Sequence, residues 1–198
     1  TGGMGAYSPS RLESDLLDKK IIDRIIKPTL KALDDLNTNF KGFLYAGLMI
    51  VQNEPYLIEY NVRMGDPECQ TILPRLKTNL LEIIESVINE NLSQINIDWY
   101  DVKTLSIVQC SKGYPEAYEN NVEIKNLNKI SLMENEFIFH AGTKITDSKI
   151  FSNGGRVLNI VAKSESFEKS RKLAINLIKK IDWKKGFYRK DIGFKVID

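Results

Sequence analysis

The sequence predicts two consecutive α+β units, and three observations point to them. The first hundred residues combine helix-period apolar patterns with one hairpin. The second hundred carry four short strand patterns and one closing helix. No internal repeat or low-complexity tract interrupts either half, so a boundary near 98–103 divides the chain into residues 1–100 and 101–198.

TGGMGAYSPS reads as a loop, with three glycines, a Ser-Pro and no apolar period. From Leu12 onward Leu16, Leu17, Ile21, Ile22, Ile25 and Ile26 recur at helical steps. Pro28 should kink or interrupt that helix, with a second one running to about Leu36. FLYAGLMIV (43–51) predicts a buried strand, and QNEP turns it into YLIEYNV as a hairpin. Ile72, Leu76, Leu80, Ile83, Ile84, Val87 and Ile88 predict one long amphipathic helix. TLSIVQC (104–110), KISLM (129–133), EFIFHAGT (136–143) and GGRVLNIVA (154–162) predict antiparallel strands, and a helix follows from about Ser166 to Ile181.

The 28 Lys+Arg and 26 Asp+Glu leave a net charge of +2, and no basic block stands out. A nucleic-acid or membrane-surface partner therefore finds little support. The two cysteines, Cys69 and Cys110, lie far apart with no C-x-x-C spacing, which argues against a disulfide framework and for a reducing compartment. Without a secretory signal or an apolar run of about 20 residues, a cytoplasmic location is expected. The chain opens on Thr1 within a glycine-rich phrase, so it is expected to be the tail of a longer polypeptide.

The chemistry concentrates in PYLIEYNVRMGDPE (55–68). If this run is extended, Glu59, Asn61 and Arg63 share one face. A carboxylate and an amide oxygen suit a hard cation such as magnesium, and a guanidinium suits phosphate. Spacing alone fits the wet face of a half-exposed strand equally well.

GGMGAYSP, LYAGLMIV, EYNVRMGDPE, SKGYP, HAGT, NGGRVLNIVA and YRKDIG, in this order, resemble the glycinamide ribonucleotide synthetase (phosphoribosylamine–glycine ligase) family of the ATP-grasp superfamily. The resemblance runs from Thr1 to about Gly193. It implies a fold comprising the carboxy-terminal part of an ATP-grasp domain followed by a small antiparallel-sheet α+β domain, with the amino-terminal half of the polypeptide lying before Thr1. It also implies a ligase that uses ATP and Mg2+ (or Mn2+) to join glycine to phosphoribosylamine through glycyl phosphate. The alternatives are an ATP-grasp ligase with another acceptor and a non-catalytic binding module.

On the same footing Glu59 and Asn61 match the family's metal-binding Glu-x-Asn, and Arg63 would steady the transferring phosphoryl group. Asp66 and Glu68 would receive the glycine ammonium, and Gly2, Gly3 and Gly5 would border the substrate cleft. Lys144 and Arg156 would hold the phosphate of phosphoribosylamine, against a reading as two solvated cations. Many ATP-grasp enzymes place another acidic metal ligand on the preceding strand, but Ala46-Gly47-Leu48-Met49 carries none. His140, the sole histidine, reads as a hydrogen-bonded strand residue, and Tyr188, Arg189 and Asp191 read as local fasteners of the tail.

Overall fold

The structure, a computed structural model, describes residues 3–197. In chain order its elements are β1 (Gly5–Ser8), α1 (Asp15–Ile21), α2 (Lys27–Asp35), β2 (Tyr45–Val51), β3 (Glu54–Asn61), α3 (Glu68–Ile72), α4 (Leu80–Ile88), β4 (Lys103–Ser111), β5 (Glu123–Ile124), β6 (Glu136–His140), β7 (Thr143–Thr146), β8 (Lys149–Ser152), β9 (Arg156–Ser164), α5 (Phe167–Lys180) and β10 (Gly186–Phe187). The α+β class is as expected. Two compact units result: Ser10–Gly65 with Leu76–Trp99, and the remainder, made of the segment up to Pro9, Asp66–Arg75 and the chain from Tyr100 onward.

That division differs from 1–100 and 101–198. The re-entry at Tyr100 falls inside the expected boundary, but β1 and α3 belong with the later strands. The reason is strand pairing. β1 adds antiparallel to β4, with Gly5 opposite Ile107 and Ser8 opposite Thr104, and Arg75 donates to the Ser8 hydroxyl at 2.6 Å.

In the hairpin unit, Ser14 caps α1 through the Leu17 N–H. A π-helical turn, Ile22–Ile26, carries α1 into α2 without leaving helical backbone angles, so the helix runs on through Pro28 instead of breaking into two as expected, with the wider turn just before the proline. β2 and β3 join through Gln52 and Asn53, both at positive φ, as a two-residue turn demands. Among the described residues these strands pair only with each other. A two-stranded ribbon cannot bury both faces, so β2 is not the buried strand expected, and Met49 is 54% exposed. The long helix expected from Ile72 to Ile88 is also broken. A 3-10 turn (Leu73–Arg75) carries Pro74, the chain extends, and Asn79 caps a fresh helix at the Leu81 N–H.

The other unit is built on a sheet ordered β1-β4-β9-β6, with β10 sharing the β1 edge of β4. α5 lies on β4 and β9, burying Leu105, Ile107, Leu158, Ile160, Ala174 and Leu177 completely or nearly so. Each buried Leu or Ile there contributes about 1.5–3 kcal/mol over exposure. The opposite face of β4 packs Met4, Val108 and Cys110 and receives α3. Burial on both faces explains why β4 reads as an apolar run rather than an alternation. β5, β8 and β7 form a separate small sheet. KISLM is not a strand: a 3-10 turn (Leu127–Lys129) and a loop precede β6, and the Glu136 carboxylate accepts the Met133 N–H at 3.2 Å.

Cys110 is fully buried, and burial pushes its thiol up to about 12. Cys69 is raised as well, by burial first and the Asp66 charge second. Since only the thiolate reacts, a disulfide reagent in mildly alkaline buffer should leave Cys110 of the native protein unmodified until denaturant is added. Rapid labelling of both thiols in the native state would contradict this packing.

Candidate active site

Tyr60 positions the hairpin's chemistry. Its hydroxyl lies 2.6 Å from the Thr29 hydroxyl and donates to the Ile25 carbonyl, which fixes that side of β3 against the helices. Its neighbours Glu59 and Asn61 therefore take the opposite face. There Asn61 Nδ2 donates to Glu59 Oε1 at 3.0 Å. The bond holds the two side chains together and leaves Glu59 Oε2 and Asn61 Oδ1 as oxygen donors.

Gly47 stands directly across from Glu59, because a bulge at Gly47/Leu48 shifts the register there. A Cβ at position 47 would lie 3.0 Å from Glu59 Cγ, tighter than an ordinary contact. The absence of a side chain there relieves a tight contact with the Glu59 side chain. No group of three or more His, Cys, Asp or Glu able to hold a metal occurs among the described residues. One carboxylate plus one amide oxygen, on an exposed strand end, fits magnesium, which commonly keeps waters or phosphate oxygens for its remaining positions.

Arg63 does not continue that face. β3 ends at Asn61, and the Arg63 guanidinium donates to the Met64 carbonyl at 2.8 Å in the bend that follows.

In the other unit the expected substrate residues sort differently. Arg156, at the start of β9, donates from Nη1 to the carbonyls of Gly3 (3.2 Å) and Asp66 (2.8 Å), and its Nη2 pairs with Asp66 Oδ2 at 2.9 Å. The remaining Asp66 oxygen accepts from Gln70 Nε2 at 3.3 Å. Asp66 and Arg156 are therefore each other's partners. Gly3, at φ +76, lies so close beneath the guanidinium that a side chain there would meet Arg156 Nη1.

Lys144 is exposed on β7 of the small sheet, and no bond joins it to Arg156. Glu68 opens α3 with no hydrogen-bond partner among the described residues, and Gly5 lies in β1. Gly2 lies outside the described residues. His140 is exposed, with its Nδ1 2.8 Å from the Thr143 hydroxyl.

The glycine phrases converge to hold Arg156 in place. Ser111 of SKGYP donates N–H to the Gly155 carbonyl and its hydroxyl to the Gly154 carbonyl, both at 2.8 Å, while Asn153 N–H donates to Gly142 of HAGT. Sequence reading saw these phrases separately and missed that they form one junction.

The fold belongs to the ATP-grasp class: residues 1–69 match the ATP-grasp (A) domain of phosphoribosylglycinamide synthetase. The same fold appears, at 10% identity and TM-score 0.61, in the biotin carboxylase domain of Hydrogenobacter thermophilus 2-oxoglutarate carboxylase, a structure in complex with MgADP and bicarbonate. That likeness covers 95% of this chain and 43% of that one. Residues 104–195 match the phosphoribosylglycinamide synthetase C domain, so two separate segments point to one family. The chain belongs to the phosphoribosylglycinamide synthetase family.

It is 37% identical over its whole length to phosphoribosylamine–glycine ligase of Brucella melitensis, covering 46% of that protein. It also resembles the crystal structure of phosphoribosylamine–glycine ligase from Thermotoga maritima, at 32% identity and TM-score 0.84, over 98% of this chain and 47% of that one. The chain thus spans about half the length of the curated relatives it matches. No helix among the described residues is long and apolar enough to cross a membrane.

Proposed function

We propose that this chain forms part of a phosphoribosylamine–glycine ligase, working with an amino-terminal half of the same polypeptide. The reaction joins glycine to phosphoribosylamine at the expense of ATP. The glycine carboxylate attacks the γ-phosphate to give glycyl phosphate and ADP. The amine of phosphoribosylamine then displaces phosphate from the acyl carbon, giving glycinamide ribonucleotide.

The observation that carries the proposal is the Glu59–Asn61 pair on a hairpin cleared by Gly47. Phosphoryl transfer of this kind needs charge neutralisation and alignment more than a covalent nucleophile. Glu59 Oε2 and Asn61 Oδ1 would hold Mg2+ or Mn2+, which when bound supplies the positive charge that the phosphates require. Arg63, exposed in the bend after β3, adds a guanidinium that leaves its Met64 contact to steady the transferring phosphoryl group. The Asp66–Arg156 pair acts through position rather than by binding glycine or phosphate.

ADP release with Mg-ATP, glycine and freshly generated phosphoribosylamine tests this reading. It should appear only with both acceptor substrates present, and only in a polypeptide extended before Thr1. Silence from a folded, extended polypeptide would point to another acceptor or to a non-catalytic module.

A further inference from the structure

The hairpin unit leaves most of its apolar side chains outside. Its buried ones among the described residues are Leu17, Ile25 and Ile83, whereas Met49, Tyr56, Leu57, Ile58, Ile84 and Ile88 are all exposed. Single exposed apolar residues are ordinary, but a set of this size in one small unit marks a surface that something covers.

The two edges of the hairpin are unlike. β3 carries Pro55 and a bulged residue, Ile58, that has no partner on β2, and both are devices that end a sheet. β2 has neither a proline nor a charge, and from Ala46 onward its outward N–H and C=O groups face no strand among the described residues. An uncharged, apolar strand with an open edge is a template for pairing. A ribbon of two strands also falls short of the three or more that make a sheet stable.

Beside that edge lies an apolar groove of about 250 Å3, lined by Phe43, Ile83, Ile84, Val87 and Ile88. Lys41 ties the groove's wall to α4, donating to the Ile88 carbonyl at 3.1 Å and pairing with Glu90 at 2.7 Å. Phe43 stands two residues before β2, so the groove and the open edge adjoin along the chain.

We infer that the outer edge of β2 accepts a further strand from the amino-terminal half of the polypeptide, and that apolar side chains of that half fill the groove between Phe43 and α4. The inference rests on the reading that such a half precedes Thr1, and it names the surface on which that half docks. This chain covers 46% of its Brucella melitensis relative, so a comparable length of polypeptide is there to supply the strand. The occupant is an extended segment with apolar residues at alternate positions, because backbone bonds set its register on β2 and alternate side chains share one face. Pairing would also steady β2 where Gly47 stands across from Glu59, which links the docked half to the oxygen pair.

Amide hydrogen exchange of the full-length polypeptide, resolved to single residues, tests the edge. Every amide from Ala46 to Val51 should exchange at least about a hundredfold more slowly than the outward amides of β3. Outward β2 amides as fast as those of the Gln52–Asn53 turn, or protection on the β3 edge instead, overturn the assignment. Protection that fades on dilution, with a dimer in sedimentation, means that a second copy covers the edge and overturns it too. For the groove, Ile84→Gln combined with Ile88→Gln should lower the Tm of the full-length polypeptide by about 5 °C or more, the scale of two apolar side chains losing their cover. An unchanged Tm shows the groove open to water and overturns that part. The exchange pattern of the parent decides the edge even where the double variant does not fold. If the parent releases no ADP, the ligase reading falls, while the exchange pattern still decides the docking surface.

Discussion

Glu59→Gln in the full-length enzyme is expected to lower kcat by about 10²-fold or more, the scale on which single electrostatic groups contribute to phosphoryl-type transition states. Glutamine preserves the size of the side chain and can still meet Asn61, 3.0 Å away in the native pair, so the strand should fold unchanged. What disappears is the single formal negative charge of the pair, and a hard divalent cation loses its strongest ligand. The Mg2+ concentration needed for half-maximal rate should rise along with the fall in kcat. Near-normal turnover at ordinary Mg2+ would sink the metal assignment.

Gly47→Val supplies an independent arm. Valine suits a strand, yet its Cβ would stand 3.0 Å from Glu59 Cγ and push the carboxylate off its position. Thermal stability should hold while the Mg2+ requirement rises. A valine variant that lost both together would say only that the hairpin had been damaged.

Much of this was legible in the residues because the deciding signals are local. Gln52 and Asn53 announce a tight turn, and the alternation around Tyr60 places Glu59 and Asn61 on a shared face. β4, β6, β9 and α5 carry clear period, and each stands within three residues of its expected ends. Errors arose where a distant partner decides. Counting register outward from the turn puts Gly47 opposite Ile58, but the bulge slips it by one, so Gly47's role was invisible. Pro74 was overruled by a persuasive apolar period, although its ring and missing N–H break a helix locally. β1 lacks any apolar alternation and looks like loop until β4, about a hundred residues later, supplies its partner. The sequence assigns Asp66 to the glycine ammonium and Arg156 to a phosphate, because nothing in the stretch between them says that the two side chains meet.

That meeting leads to the second large effect. Arg156→Gln and Asp66→Asn should each destabilise the full-length protein by about 1–2 kcal/mol, since charge-assisted bonds of about 1.5–3 kcal/mol are here discounted for partial exposure. The two losses should not add. Arg156 grips Asp66 through both its backbone carbonyl and its carboxylate, and it grips Gly3 with the same nitrogen. Arg156→Gln therefore removes all of these contacts, whereas Asp66→Asn removes only the charged one and leaves both carbonyl bonds in place. The charge at Asp66 has nothing to lose once Arg156 is gone. A double-mutant cycle read by urea denaturation should give a coupling of about 1 kcal/mol or more. Arg156→Lys should not restore the parent, because an ammonium keeps the charge but cannot fork between two carbonyls and a carboxylate. If the clamp serves catalysis by position, both single variants should lower kcat together while KM for phosphoribosylamine stays near the parent value. Additive stability losses, or a KM effect confined to Arg156, would return Arg156 to the role of a phosphate ligand and leave Asp66 only a neighbour.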